Sequence, residues 1–175
     1  MKLLSVLLIA TTILSLHQPN ETREFSFTET RVMPKMNKTT VYEGTMRFHA
    51  PDDLRMDYSK PAGDYTLIEK DKFEVFKAGK LQRLNVKDPK QRMSIYRATL
   101  LACLGGDVKK AAELNNAKAE YKTVGNTYVC TLKAENATPH DISALELVYD
   151  RKSGRLLTMT ITEGNGNYTI YAENR

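Results

Sequence analysis

The sequence contains three histidines, two cysteines and no tryptophan, and this scarcity narrows the chemistry that it can support. His49 and His140 are the only histidines beyond the N-terminal segment, and neither has a second metal ligand at a useful spacing. A Gly-x-Ser-x-Gly motif is absent as well. The sequence therefore predicts a protein that is not an enzyme and needs no metal or cofactor. An envelope lipid hydrolase, with a triad assembled in space, is the remote alternative.

Blocks of like charge are also missing. The 26 basic and 21 acidic residues are spread along the chain and give a net charge of +5. Nucleic-acid binding would call for a basic stripe joined to a recognisable reading element, and neither is found. A mildly cationic surface suits an anionic lipid or an acidic partner, so we predict no nucleic-acid partner.

The one long apolar run lies at the N-terminus, where Lys2 is followed by residues 3–16, LLSVLLIATTILSL. A membrane-spanning helix needs about 20 apolar residues, and this run is shorter. It predicts a secretory signal over residues 1–18 and an exported protein. Because no clear small-x-small triplet marks a cleavage point, an uncleaved N-terminal anchor is the alternative.

Cys103 and Cys130 are the only cysteines. In an oxidising compartment such a pair can form one disulfide. Their local contexts differ strongly, so two buried free thiols are an equally good interpretation.

Alternation with period two dominates the chain from residue 24. Short alternating segments separated by turns rich in glycine, proline and asparagine predict about eleven antiparallel strands. The alternation breaks at residues 89–104, where apolar residues recur at helical spacing after Asp88, and again at 107–118. We predict a mainly β, single-domain barrel or strongly curled sheet over residues 24–175, with a short helical lid inserted mid-chain.

Two stretches resemble the bacterial outer-membrane lipoprotein carrier family, called LolA-like. The first is GTMRFHAPDDLRMDYSKP at residues 44–61, continued by YTLIEKDKFEVFKAGKLQRL to residue 84, and the second is residues 145–174. The resemblance implies a half-open antiparallel barrel of about eleven strands with helices across its mouth. It also implies a periplasmic monomer that takes acylated lipoproteins from an inner-membrane release complex to an outer-membrane acceptor. Some members carry an arginine where this chain has Ala50. A carrier of another lipid or hydrophobic metabolite is the alternative.

The pocket of such a carrier would be lined by apolar strand and helix faces. Methionine is an adaptable filler that suits acyl chains, although plain core packing is its commoner use. The matched stretches and the helical face predict these pocket residues: Phe27, Met46, Phe48, Leu54, Met56, Tyr58, Tyr96, Leu100, Leu101, Leu104 and Met159.

Overall fold

A computed structural model describes residues 22–174, which form one antiparallel sheet of eleven strands with two helices inserted mid-chain. The predicted signal, residues 1–18, lies outside the described residues. The strands are β1 (Thr22–Met33), β2 (Lys38–His49), β3 (Asp53–Lys60), β4 (Ala62–Glu69), β5 (Lys72–Lys77), β6 (Lys80–Arg83), β7 (Ala117–Val124), β8 (Thr127–Ala134), β9 (Ile142–Asp150), β10 (Leu156–Glu163) and β11 (Tyr168–Glu173). The helices are α1 (Arg92–Leu104) and α2 (Val108–Leu114).

The sheet consists of two meanders that meet at its centre. Its order is β6-β5-β4-β3-β2-β1-β11-β10-β9-β8-β7, so β1 pairs with β11 and every other neighbour is consecutive in sequence. In the central pair, Glu29 lies opposite Tyr171 and Arg31 opposite Thr169. The sheet is not closed, because β6 and β7 remain as edges. This architecture confirms the predicted curled antiparallel fold.

The core lies on one face of the sheet, as the alternation predicts. In β2, Met46 and Phe48 are each 1% exposed, whereas the intervening Arg47 is exposed. The helices cover that face, and Leu100 and Leu104 of α1 are buried against it. Each such side chain contributes about 1.5–3 kcal/mol when fully buried, so these positions hold the helices to the sheet.

Both helices are shorter than predicted. Asp88, which precedes the predicted helix, accepts a hydrogen bond from the Lys90 backbone N–H and makes a local turn, so α1 begins only at Arg92. Asp107 caps α2 by accepting from the Lys110 N–H, and the left-handed conformation of Asn116 separates that helix from β7. Neither helix of residues 22–174 is long and apolar enough to span a membrane.

Candidate ligand-binding site

A cavity of about 680 Å³ lies between α1 and the core face of the sheet. This volume falls within the range of natural small-molecule pockets. Its apolar wall comes from β3, β5, the segment after β6, and α1, and includes Met56, Phe73, Val75, Leu84, Met93, Ile95 and Leu100. Exposed residues, among them Lys90, Arg92 and His140, also line it.

Four of the predicted pocket residues line this cavity: Met56, Tyr58, Tyr96 and Leu100. Met56 and Tyr58 share one face of β3, where they alternate with Arg55 and Asp57. Helical spacing puts Tyr96 and Leu100 one turn apart on α1. Local periodicity therefore places each pair on one face, and the packing of α1 on the sheet brings the two pairs together.

The other seven predicted residues lie elsewhere in the structure. Phe27, Met46, Leu104 and Met159 surround a second internal space of only about 10 Å³. Phe48, Leu54 and Leu101 pack in the core and line neither space. All seven side chains are buried in the core between the sheet and α1, but the cavity occupies only one part of that region.

Several wall residues were missed by the sequence reasoning. Phe73 and Val75 alternate along β5 and could have been found from that pattern. Arg31 and Tyr171 depend on the pairing of β1 with β11, which joins distant parts of the chain. No local signal indicates that an arginine would face the core side of the sheet.

A buried carboxylate lies beside the cavity. The Glu29 side chain is fully buried and accepts hydrogen bonds from Tyr58 Oη, at 2.5 Å, and from Arg31 Nε. Burial and the Glu29 carboxylate together raise the pKa of Tyr58. Burial alone would lower the pKa of Arg31, but Glu29 outweighs it and the pKa of Arg31 is raised. Arg31 and Glu29 therefore form an ion pair in which the arginine stays protonated.

Tyrosine hydroxyls connect α1 to the sheet at the same place. Tyr96 Oη and Tyr171 Oη are 3.4 Å apart, and both rings line the cavity. Burial raises the pKa of both phenols, so both hydroxyls keep their protons. The wall thus combines an aliphatic part with a group of hydrogen-bond donors.

The two cysteines are free thiols in the structure, and both are buried. Burial raises the pKa of Cys103, and it raises that of Cys130 to about 12. Protonated, buried thiols are poor nucleophiles and poor metal ligands. Within residues 22–174, no three histidine, cysteine, aspartate or glutamate side chains cluster in a way that could hold a metal ion.

The sequence matches the model of one known protein family. The sequence model of the family described as outer membrane lipoprotein carrier protein LolA matches residues 20–172. The chain belongs to the LolA family. The family resemblance read from residues 44–84 and 145–174 is therefore confirmed.

Solved structures similar to this LolA-family chain have low sequence identity. A LolA superfamily protein from Nitrosomonas europaea is 8% identical, with a TM-score of 0.42 and coverage of 95% of this chain and 90% of that one. A putative outer membrane lipoprotein-sorting protein domain from Vibrio parahaemolyticus is 7% identical, with a TM-score of 0.46 and coverage of 95% and 89%. An uncharacterized conserved protein from Thermus thermophilus is 13% identical, with a TM-score of 0.47 and coverage of 94% and 83%. The comparison with curated proteins gives no match.

In this LolA-family chain, α1 is tied to the sheet by hydrogen bonds at its middle and at its C-terminal end. Arg97 Nη2 donates to the main-chain oxygens of Glu69 and Lys70 in the β4–β5 turn. Tyr149 Oη donates to the main-chain oxygen of Cys103, at 2.9 Å, in the last turn of α1. Ala50 lies where some members of the family carry an arginine. It is buried, and its side chain cannot donate such a bond.

Proposed function

We propose that this protein is a non-enzymatic periplasmic carrier that binds the acyl chains of lipoproteins and takes them toward the outer membrane. The observation that carries the proposal is the cavity of about 680 Å³ under α1 in a chain of the LolA family. In this proposal, an inner-membrane release complex loads the protein, and an outer-membrane acceptor unloads it. The carrier works as a monomer.

The apolar wall suits flexible chains. Each methylene group transferred from water to an apolar wall contributes about 0.8 kcal/mol. Met56 and Met93, both on the wall, can adapt their rotamers to chains of different length. A carrier must also release its cargo, and α1 takes no part in the strand pairing, so it can shift without breaking the sheet.

A carrier of another lipid or hydrophobic metabolite is the second candidate function. The polar side chains in the wall, Arg31, Tyr96 and Tyr171, favour it because they could receive the head group of a small amphiphile. Native mass spectrometry of the protein purified from its own host distinguishes the two. A bound mass in the range of a small lipid supports this second candidate, whereas a bound lipoprotein supports the first.

Release of lipoproteins from spheroplasts of the host tests the proposal. We expect the purified protein to bring acylated lipoproteins into the soluble fraction. Val75→Trp fills the cavity wall and should abolish release, whereas Val41→Trp, at a position 53% exposed and away from the cavity, should leave it intact. Because the chain has no tryptophan, each variant carries a single fluorescent reporter of its own folding. Failure of the unmodified protein to release any lipoprotein would contradict the proposal.

A further inference from the structure

Arg31 is held in a fixed orientation on the cavity wall. Its Nε donates to the buried Glu29 carboxylate, and its guanidinium carbon lies 5.0 Å from the centre of the Tyr42 ring. The side chain is 42% exposed, and its two terminal nitrogens have no hydrogen-bond partner among the described residues. A guanidinium held in this way presents the remaining donors to the cavity at little further entropic cost.

Other donors surround this guanidinium. Thr169 lies directly opposite Arg31 in the β1–β11 pair, and Tyr171 lies opposite Glu29. Both line the cavity, as does Tyr96, whose hydroxyl is 3.4 Å from that of Tyr171. We call Arg31, Tyr96, Thr169 and Tyr171 the polar pole.

Within the sheet, the polar pole and the apolar residues of β5 line different parts of the cavity. Three residues of the pole, Arg31, Thr169 and Tyr171, belong to β1 and β11, and Tyr96 belongs to α1. Phe73 and Val75 belong to β5, four strands away from β1 in the sheet. Adjacent strands are about 4.8 Å apart, so the two parts are separated by roughly 19 Å measured along the sheet. Because the sheet is curled, an acyl chain that runs across the cavity between the two parts follows a path shorter than this distance.

We propose that the polar pole binds the acceptor oxygens at the head of an acyl chain, a carboxylate or an ester carbonyl. The chain then runs along the cavity toward β5, so every ligand enters the site in one direction. This inference rests on the proposed function, because it assigns a direction and a chemical class to the ligand of the same cavity. A hydrocarbon without oxygens would contact the aliphatic wall, and the polar pole would add nothing to its affinity.

Displacement of the neutral dye N-phenylnaphthylamine by laurate, methyl laurate and dodecane tests this inference. We expect the unmodified protein to bind laurate and methyl laurate more tightly than dodecane. Arg31→Gln should weaken laurate binding about tenfold, as expected for a lost hydrogen bond to a charged group, and leave dodecane binding unchanged. Laurate and methyl laurate separate a free carboxylate from an ester as the favoured head.

Arg55 provides a matched control on the opposite face of the sheet. Its Nε donates to Asp57, its guanidinium carbon is 4.9 Å from the centre of the Tyr65 ring, and it is 38% exposed. Arg55 does not line the cavity, so Arg55→Gln should alter no affinity. Arg31→Gln could misfold because it leaves the buried Glu29 carboxylate without its cation. In that case the laurate affinity of Glu29→Gln is compared with that of Glu29→Gln/Arg31→Gln, since both variants lack the buried carboxylate.

The outcomes separate this inference from the proposed function. If Arg31→Gln loses affinity for laurate and dodecane equally, or for neither, the polar pole does not bind the head of the ligand. Either result contradicts this inference but not the proposal that the cavity binds acyl chains. Failure of the unmodified protein to bind the dye or any of the three ligands overturns both.

Discussion

Arg97 of α1 donates a hydrogen bond from Nη2 to the main-chain oxygen of Glu69, at 2.5 Å, in the turn between β4 and β5. A second bond from the same nitrogen reaches the oxygen of Lys70 at 2.6 Å. Because α1 forms one wall of the cavity, this contact ties that wall to the β4–β5 turn.

Removal of this contact should speed the exchange of ligands. We expect Arg97→Ala to release N-phenylnaphthylamine about fivefold faster, as the loss of roughly 1 kcal/mol of hydrogen bonding implies. Stopped-flow dissociation measures the rate. Lys109→Ala, which removes an exposed cation of α2 at 3.9 Å from Glu113, is the control and should exchange at the original rate. An unchanged rate in Arg97→Ala would show that α1 is not held by this contact.

The hydrogen bond between Tyr58 and the buried Glu29 should contribute to stability. Tyr58→Phe leaves the carboxylate with one donor fewer, and we expect it to lower the free energy of unfolding by about 1–2 kcal/mol. Tyr65→Phe, on the other face of the sheet, should change it by less than about 0.5 kcal/mol. Urea unfolding followed by circular dichroism measures both. Equal effects in the two variants would mean that Glu29 does not depend on Tyr58.

Gly44 should tolerate no side chain. A Cβ there would lie 2.2 Å from the main-chain oxygen of Asp57, at the irregularity where β2 meets β3. The neighbour is backbone, so we expect Gly44→Ala to destabilise the protein by about 3 kcal/mol. Gly63→Ala, where φ is +90° but the space is open, should lower stability by about 1–2 kcal/mol from backbone strain alone. A smaller loss in Gly44→Ala than in Gly63→Ala would contradict this close approach.

Stability should fall in alkaline solution. Burial raises the pKa of the Cys130 thiol from 9.0 to about 12, so between these values the folded protein retains a proton that the unfolded chain loses. The stabilisation is fully present below pH 9 and is lost as pH rises toward 12, by up to about 1.4 kcal/mol per pH unit. Urea unfolding with a reductant present should show this fall, with a shallower slope in Cys130→Ala. Identical slopes would exclude the thiol as a cause.

Most of the fold could be predicted because its strands obey a local rule. In β2 and β3, apolar residues such as Met46 and Met56 alternate with charged ones, and short turns leave only antiparallel pairing. The helix boundaries were harder to predict, because Asp88 and Pro89 suit a turn as well as the start of a helix. Ala117 and Lys118 have helical propensity, but tertiary pairing with β8 draws them into β7.

The site could be predicted only in part, because alternation identifies a face and not a position along it. Met56 and Leu54 share one face of β3, yet only Met56 reaches the cavity. Arg31 was missed because a charged residue ordinarily faces solvent, and its place on the core face depends on the buried partner Glu29. That arrangement requires the long-range pairing of β1 with β11.

Photocrosslinking in the host tests most directly whether the cavity holds the acyl chains of lipoproteins. A benzophenone amino acid replaces Phe73, on the cavity wall, in one variant and Met36, which is 69% exposed, in another. We predict that the wall position crosslinks to acylated lipoproteins, that the crosslink disappears when acylation is blocked, and that position 36 gives no such crosslink. Crosslinks from position 73 only to free lipids, or none, would contradict the account.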